Sequence, residues 1–334
     1  MEGIHYDKQS GKWIVSSYEY CKSILQSSSF RTPNMEEIDE DTPSFFLALT
    51  IANEDDFDRL KYNFASYFTK SKVEEMKEQI FIKNSNEILN KQNNYEIYED
   101  TEILKNIIVP YCTNSIIQVI GADLILGKEL VTAYKIGNRY YTDNKKSEAQ
   151  VYYQYVIQTL SNLLKDDNPK KSENNQSYLY FLQKNNEITE SEKVSMLVPF
   201  IDMLASSKTM ELPLLSFKNY IKYRKYNLSL SYIVEESARL LDNVFLSRFA
   251  LTNFEIGGNV IKAGEKVHIR ISEASKDENI YKCPNSFQFM RENLNEIISF
   301  GSGTHRCLGK HFTFVLIKTL LEEVDKVDKV SFYL

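Results

Sequence analysis

The sequence predicts a mainly α-helical protein with a small β portion late in the chain. Three observations carry that prediction. Helical patterns occupy Phe57–Leu89, Thr101–Ile120, a long stretch from about Glu190 to Tyr223, and Leu230–Asp242. A Gly257-Gly258 turn joins two short β-prone runs, Phe254–Ile256 and Asn259–Ile261, as a hairpin. A last apolar helix runs from about Leu308 to Val324.

In chain order, Trp13-Ile14-Val15 reads as a short strand and Tyr18–Leu25 as a helix. Residues 30–56 are acidic, turn-rich and without periodicity, so a loop is expected there. Residues 164–178 are polar and read as an exposed connection. Thr189-Glu190-Ser191-Glu192 has the capping-box pattern, in which a Thr side chain and a Glu three residues later satisfy the first free amides of a helix. It opens the long helix, inside which Pro199 and Pro213 both fall. A proline removes the hydrogen bond to the carbonyl four residues earlier, so Pro213 frees the carbonyl of Thr209. A kink or widened turn is therefore expected at Ala205–Thr209. Val267–Ile271 alternates and adds a strand, and residues 279–299 are irregular.

Composition narrows the function classes. A chain of 334 residues can bury a large core, as one big domain or two smaller ones. Its net charge of −6 argues against a nucleic-acid binder, which normally carries a basic excess. Cys21, Cys112, Cys283 and Cys307 are scattered, with no CxxC spacing and no disulfide framework. The opening residues Met1–Tyr6 have neither a basic start nor an apolar stretch, so no secretory leader is expected. The apolar run around Met196–Ala205 is interrupted by Pro199 and Asp202 and is too short for a bilayer, which needs about 20 apolar residues. A cytoplasmic location, with neither nucleic acid nor membrane as partner, is the expectation.

The chemistry concentrates in Phe300-Gly301-Ser302-Gly303-Thr304-His305-Arg306-Cys307-Leu308-Gly309-Lys310. It is not a phosphate-binding Walker loop: five residues separate Gly303 from Gly309, and His311 stands where Ser or Thr is needed. It is not a dinucleotide fingerprint, because Arg306 occupies the third glycine position. A zinc site would use His305, Cys307 and His311, at a spacing that matches no common module and without a fourth ligand. A haem-thiolate site accounts for more. Cys307 stands at a loop-to-helix junction, where the amides of Leu308, Gly309 and the next residue can point at sulfur and stabilise a thiolate. Gly301, Gly303 and Gly309 allow the backbone to approach a flat macrocycle. The alternative is a buried structural cysteine at a helix start.

The stretch resembles the cysteine loop of the cytochrome P450 family, F-x-x-G-x-H/R-x-C-x-G, with Phe300, Gly303, His305, Cys307 and Gly309 at the named positions. Upstream, Glu236-Ser237-Ala238-Arg239 resembles the family's E-x-x-R pair. Residues 254–267 resemble its β-hairpin segment, and Ala274-Ser275-Lys276-Asp277 its A-N-R-D. Pro284-Asn285-Ser286-Phe287 and Arg291 resemble the irregular meander before the cysteine loop. Near the front, Trp13-Ile14-Val15 with Tyr18-Glu19 is similar to the bacterial W-x-V-x-x-Y-E pattern, and Phe57–Thr69 to the helix reading H-x-x-x-R…A-F-T.

The resemblance implies one P450-like domain over residues 1–334, with haem b between the long central helix and the cysteine-loop helix and Cys307 as the iron ligand. It implies that Lys61, Arg248 and His305 hold the haem propionates and that Phe300, Gly301 and Gly309 shape the haem-binding loop. Phe45, Phe46, Ala205, Val244 and Phe245 are the implied substrate-pocket residues, and Glu236 with Arg239 the structural pair. The implied function is oxidation of a small organic or natural-product substrate by O2, with electrons from a ferredoxin or flavodoxin meeting Arg306, Lys310 and Lys61.

The sequence departs from the family in the long helix, where A/G-G-x-D/E-T becomes Ala205-Ser206-Ser207-Lys208-Thr209. Lys208 replaces the acid, and a lysine cannot relay protons in the same way unless burial lowers its pKa. Ser206, Lys208 and Thr209 are therefore the candidate catalytic residues, with Ser207 and ordered water or a substrate group as further means. The usual His of the H-x-x-x-R helix is Phe57, and the His often preceding the cysteine-loop Phe is Ile297. The missing acid keeps two rivals in play: a peroxide-dependent haem-thiolate enzyme, and a catalytically altered haem-binding protein that holds substrate or a partner protein.

Overall fold

In the computed structural model, which describes residues 3–33, 54–92, 99–165 and 176–326, helices dominate and the strands gather within residues 4–31 and 246–269. In order these are β1 (Ile4–Asp7), β2 (Lys12–Val15), α1 (Tyr18–Gln26), β3 (Phe30–Arg31), α2 (Glu54–Tyr67), α3 (Lys70–Met76), α4 (Ile82–Asn90), α5 (Asp100–Ile103), α6 (Val109–Ile120), α7 (Leu124–Thr142), α8 (Lys146–Lys165), α9 (Tyr178–Lys184), α10 (Glu190–Ala205) and α11 (Ser207–Tyr223). There follow α12 (Leu230–Leu240), β4 (Leu246–Ala250), β5 (Phe254–Ile256), β6 (Asn259–Ile261), β7 (Lys266–Ile269), α13 (Ile271–Ala274) and α14 (Lys310–Val324). Single π turns, Lys77–Phe81 and Leu104–Ile108, carry α3 into α4 and α5 into α6. The chain forms two compact units: the described residues up to 33 with Tyr223–Lys310, and Glu54–Lys222 with the chain from His311.

The first unit is built on a five-stranded sheet of order β1-β2-β7-β4-β3. Only β2 and β7 run parallel, with Trp13 opposite Val267, and the other pairs are antiparallel. Val15, Tyr18, Cys21 and Ile24 pack with Val267, Ile269, Ile271, Tyr281 and Ile298 into one apolar core, which explains why α1 lies on the sheet. Ser17 caps α1 by accepting a hydrogen bond from the Tyr20 amide. The β5–β6 hairpin turns through Gly257 and Gly258 at φ +57° and +74°, a left-handed pair that side chains disfavour. At Gly257 a Cβ would also stand 2.7 Å from the Tyr20 hydroxyl oxygen.

The second unit is helical. The capping box at Thr189 forms as expected, and Arg59 of α2 binds the capping Glu192 as well as Asp56. Hydrogen bonding to Arg59 holds the Glu192 carboxyl at about 2. Phe68 gathers an aromatic cluster, with ring centroids 5.0 Å from Tyr178, 5.7 Å from Phe200 and 5.6 Å from Phe312. Residues 121–163 carry no assignment from the sequence, and most of them form the α7–α8 pair. At Gly137 of α7 a Cβ would stand 2.9 Å from the Tyr153 ring of α8, so the helices approach too closely for a side chain. Asp100–Ile120 is a longer apolar stretch than the run at 196–205, and is long and apolar enough to cross a membrane by composition. Here it packs in the interior, with Tyr111, Cys112, Ile116, Ile117, Val119 and Ile120 buried.

The expected single helix from Glu190 to Tyr223 is two helices, broken at Ser206, whose ψ of 123° is extended. The break falls inside the expected interval but not at a proline: Pro199 lies within α10 and Pro213 within α11. A small polar residue, whose side chain competes with helical hydrogen bonds, marks the break instead.

Asp202, one turn before that break, is a carboxylate at the α7–α10 packing, with Tyr134 and Asn138 of α7 as its polar neighbours. Burial raises its pKa to about 6 from 3.8, and those two neighbours only partly oppose the shift. A folded-state pKa above the unfolded one means that the penalty grows as pH rises from 3.8 to 6 and is complete above that. Asp202→Asn is therefore expected to stabilise the fold above pH 6 by up to about 3 kcal/mol and to change little near pH 4. Urea midpoints measured across pH 4–8 check this, and an equal effect at both ends contradicts it.

Candidate functional site

The segment from Phe300 to Lys310 closes on itself. The Gly301 amide donates to the Ile298 carbonyl at 2.8 Å, Arg306 to Gly303 at 3.3 Å, and Cys307 to Phe300 at 2.8 Å. Gly301 and Gly303 take φ of +74° and +72°, conformations in which a side chain is strained. At Gly303 a Cβ would also stand 2.5 Å from the Leu25 carbonyl oxygen. That glycine is thus needed for contact with the end of α1, whatever its relation to a macrocycle. At Gly309 a Cβ would meet only the Cys307 sulfur, at 3.8 Å.

Two of the three expected amides, those of Gly309 and Lys310, hydrogen-bond the Cys307 sulfur and favour its thiolate. Burial of the surroundings is the larger influence and raises the thiol, although the residue itself presents surface to solvent. The Lys310 ammonium lies 5.7 Å from the Phe300 ring centroid. A thiolate here has donors arranged around it, and a metal cation is the partner that would overcome the desolvation.

Strand β4 runs beside this loop, since the Leu246 Cδ1 lies 3.8 Å from where a Cβ of Gly301 would stand. Two residues along β4, Arg248 is buried. Its Nη1 donates to the Ser247 carbonyl at 2.8 Å, and it forms no ion pair among the described residues. Burial alone pulls it down to about 10. A buried guanidinium without a counter-ion among the described residues is costly, so the position favours an anion beside it. His305 is half-buried. Of the expected pocket pair, Val244 packs against the apolar core of the first unit. The ring of Phe245 lies 4.8 Å from that of His268.

The Glu236–Arg239 pair is fully buried and bidentate, at 2.8 Å for both bonds. Arg239 also donates to the carbonyls of Ser275 (3.0 Å), Pro284 (2.5 Å) and Ser286 (3.2 Å). Arg291 is the member whose role the sequence leaves unread. Its Nε reaches Glu236 at 2.8 Å, while its other nitrogens reach the carbonyls of Lys282 and Cys283 at 2.7 and 3.1 Å. Tyr281 lies under both guanidinium groups, 5.2 and 5.8 Å away.

In the second unit Ala205 is buried at the end of α10, Ser206 and Thr209 are half-buried at the break, and the side chain of Lys208 lies outside the described residues. Lys61 is half-buried on α2, with its ammonium 5.5 Å from the Phe57 ring centroid. Phe45 and Phe46 lie outside the described residues. Phe57 and Ile297, which stand where the family often has histidine, are buried apolar residues. Among the described residues no cluster of three His, Cys, Asp or Glu side chains could hold a metal, which removes the zinc alternative.

Comparison with known proteins places this geometry. The family model of Cytochrome P450 matches residues 229–324. Polyketide biosynthesis cytochrome P450 PksS of Bacillus subtilis (strain 168) is 24% identical over 324 residues, 89% of this chain and 76% of that protein. Cytochrome P450-terp of Pseudomonas sp is 32% identical over 93 residues, 28% of this chain and 22% of that protein, so the match spans under a quarter of the relative's length. Among solved structures, P450BioI in complex with a hexadec-9Z-enoic acid ligated acyl carrier protein superposes with a TM-score of 0.82 at 19% identity, covering 97% of this chain and 88% of that one. The architecture, mostly helical with one small sheet portion, is therefore the fold of the haem-thiolate cytochromes. The chain thus has the fold of the cytochrome P450 structures, and its residues 229–324 match the sequence model of that family.

Haem b is the cofactor of that family, and the residues of the first unit fit it. The Cys307 sulfur with two amide donors suits an iron ligand, and the buried, anion-less Arg248 suits a propionate. Arg248→Met is expected to speed haem transfer to apomyoglobin by about 10- to 100-fold, the equivalent of one charged hydrogen bond. An unchanged transfer rate contradicts that role. Removing one partner of a buried ion pair costs about 3–5 kcal/mol. Arg239→Ala is accordingly expected to lower the urea midpoint sharply, and Arg239→Lys to restore little, because a lysine cannot reproduce the fork.

Proposed function

We propose that this chain is a haem-thiolate monooxygenase that oxidises a small organic or natural-product substrate with O2 and electrons from a redox partner. The observation that carries the reading is Cys307, held in a self-closing loop with the Gly309 and Lys310 amides on its sulfur. When bound, the haem supplies an iron whose thiolate ligand favours O–O cleavage. The chain's own part is to fix that ligand, to neutralise the propionates with Arg248, His305 and Lys61, and to manage protons near the break between α10 and α11. The reading takes residues 1–334 as one catalytic domain.

The break supports a proton route different from the family's acid and alcohol. At Ser206 the helix restarts, so the first amides of α11 have no carbonyl one turn earlier. Ser206, Ser207 and Thr209 then supply hydroxyl groups, and ordered water or a substrate group completes the path. Lys208 joins this route where burial lowers its pKa. Ala205, Val244 and Phe245 are assigned to the substrate pocket, together with Phe45 and Phe46. Natural-product chemistry is favoured by the relatives: PksS is named for polyketide biosynthesis, and a structure of the same fold, P450epoK, binds epothilone D. Arg306, Lys310 and Lys61 are assigned to an acidic ferredoxin or flavodoxin. A cytoplasmic site of action is consistent with four free thiols.

The absent acid also favours a second reading, a peroxide-dependent enzyme, because peroxide arrives with its oxygen already reduced. The two are separated by supplying hydrogen peroxide or a ferredoxin system to the same preparation. In either case the reduced, carbon-monoxide-bound protein is expected to show a thiolate-type Soret band, lost in Cys307→His. A colourless protein purified with ample haem supply, or a spectrum indifferent to Cys307, refutes both. Thr209→Ala and Lys208→Ala are each expected to divert electrons from product to peroxide. Unchanged coupling in Thr209→Ala removes the threonine from the route.

A further inference from the structure

We propose that Asp202 is a substrate anchor that selects compounds carrying a protonated amine. The proposal deepens the reading above by naming the class of substrate, and it rests on that reading. Asp202 is half-buried, so part of its surface stays within reach of a ligand. It forms no ion pair among the described residues. Its carbonyl accepts the Ser206 amide at 2.9 Å, which places the side chain in the last closed turn of α10. An ammonium held there would lie about 6 Å along the helix from Ser206, the first of the hydroxyls assigned to proton delivery.

The surroundings of the carboxylate supply neutral polar groups and no positive charge. Helices α6, α7 and α8 pack against α10. Tyr134 and Asn138 of α7 and Tyr153 of α8 face Asp202. The Tyr153 hydroxyl donates to Asn138 Oδ1 at 2.8 Å, and the Tyr153 ring lies 5.4 Å from that of Tyr134. Tyr134 is buried, and its hydroxyl, beside the carboxylate, closes no hydrogen bond of ordinary geometry. Burial pushes both phenols far above the usual tyrosine range, so they stay neutral. Helix α6 contains no Asp, Glu, Lys, Arg or His. Every charged side chain of α7 and α8 lies on the exposed surface.

Charge selects the ligand. An ionised carboxyl has about four acceptor sites, and the two neutral groups of α7 leave the others open. Those groups oppose the effect of burial without restoring ordinary acidity, since the carboxyl stays at about 6. What the site lacks is therefore a cation, the partner that offsets the desolvation of an anion in surroundings of low polarity. A metal ion is a poor match, because no group of three His, Cys, Asp or Glu side chains among the described residues could hold one. One ammonium N–H on a substrate suits one carboxylate. The penalty that Asp202 imposes on the empty fold at neutral pH is removed when an amine binds, as linkage requires of a ligand that meets only the folded state.

The test is calorimetric titration of the haem-loaded protein near pH 8 with phenylbutyl-dimethylamine and with its neutral isostere, in which isopropyl replaces the dimethylamino group. The amine is expected to bind about tenfold more tightly, the worth of one charge-assisted hydrogen bond. Asp202→Asn is expected to erase that preference, to leave the Kd of the isostere unchanged and to raise the urea midpoint. A merely structural carboxylate would not give that combination. In wild type the preference fades as pH falls through 6, where the carboxyl takes up its proton and the amine keeps its charge. If Asp202→Asn binds the amine as tightly as wild type, or if wild type shows no preference near pH 8, the anchor is wrong. A preference that survives in Asp202→Asn with a red-shifted Soret band marks coordination of the amine to iron, and likewise overturns it. The carbon-monoxide spectrum tests the underlying reading separately: no thiolate-type band, with the preference and its dependence on Asp202 intact, would remove the monooxygenase and keep an amine-binding site.

Discussion

The first unit depends on one buried ion pair. Between Ser275 and Ile298 the chain has almost no regular secondary structure, so no helix or sheet satisfies its carbonyls. Arg239 does this instead: two of its bonds fix it to Glu236, and three reach the carbonyls of Ser275, Pro284 and Ser286. Arg291 closes the arrangement from the other end by returning to Glu236. An irregular segment is thereby given one conformation, and the chain that leaves it leads directly into the cysteine loop. The position of the Cys307 sulfur is thus tied to a salt bridge 68 residues earlier in the sequence.

The same pair explains a contrast between two buried arginines. Arg239 is matched on every side by oxygen atoms, and its charge is neutralised within the chain. Arg248 is equally buried but meets one carbonyl. The first is a structural cation, and the second is the one proposed to meet a haem propionate. Burial alone does not separate these roles, whereas the inventory of acceptors does.

What was legible in the sequence follows from how local the constraint is. The cysteine loop needs glycine at positive φ, a closing amide and a helix start within eleven residues, so its residue types at fixed spacing betray it. The Glu236/Arg239 pair is readable as a pair at i, i+3, but only its order before the loop gives it meaning. Arg291 joins Glu236 across 55 residues, and nothing near it marks that bond. The capping box at Thr189 is local and was read correctly, whereas the interruption it precedes was ascribed to Pro213 and occurs at Ser206. The α7–α8 pair left no clear signal, because much of its interior surface is tyrosine and glycine, here Tyr134, Gly137 and Tyr153, which do not form an aliphatic stripe.

The two units carry different kinds of departure from the family pattern. In the first unit every demanding position is met: the cysteine, its amides, the buried pair and the anion-less arginine. In the second, the acid of the long helix is gone, the helix is interrupted beside the position it would occupy, and a carboxylate of raised pKa, Asp202, stands one turn earlier. Ligating iron requires a fixed sulfur and little else from the chain, so those residues leave no latitude. Moving protons requires only a chain of hydroxyls, amides or water with suitable pKa values, which many sequences can supply. The proposed route through the helix opened at Ser206 is one such solution, and on that proposal the departures from the family pattern gather in α10 and α11 rather than in the cysteine loop.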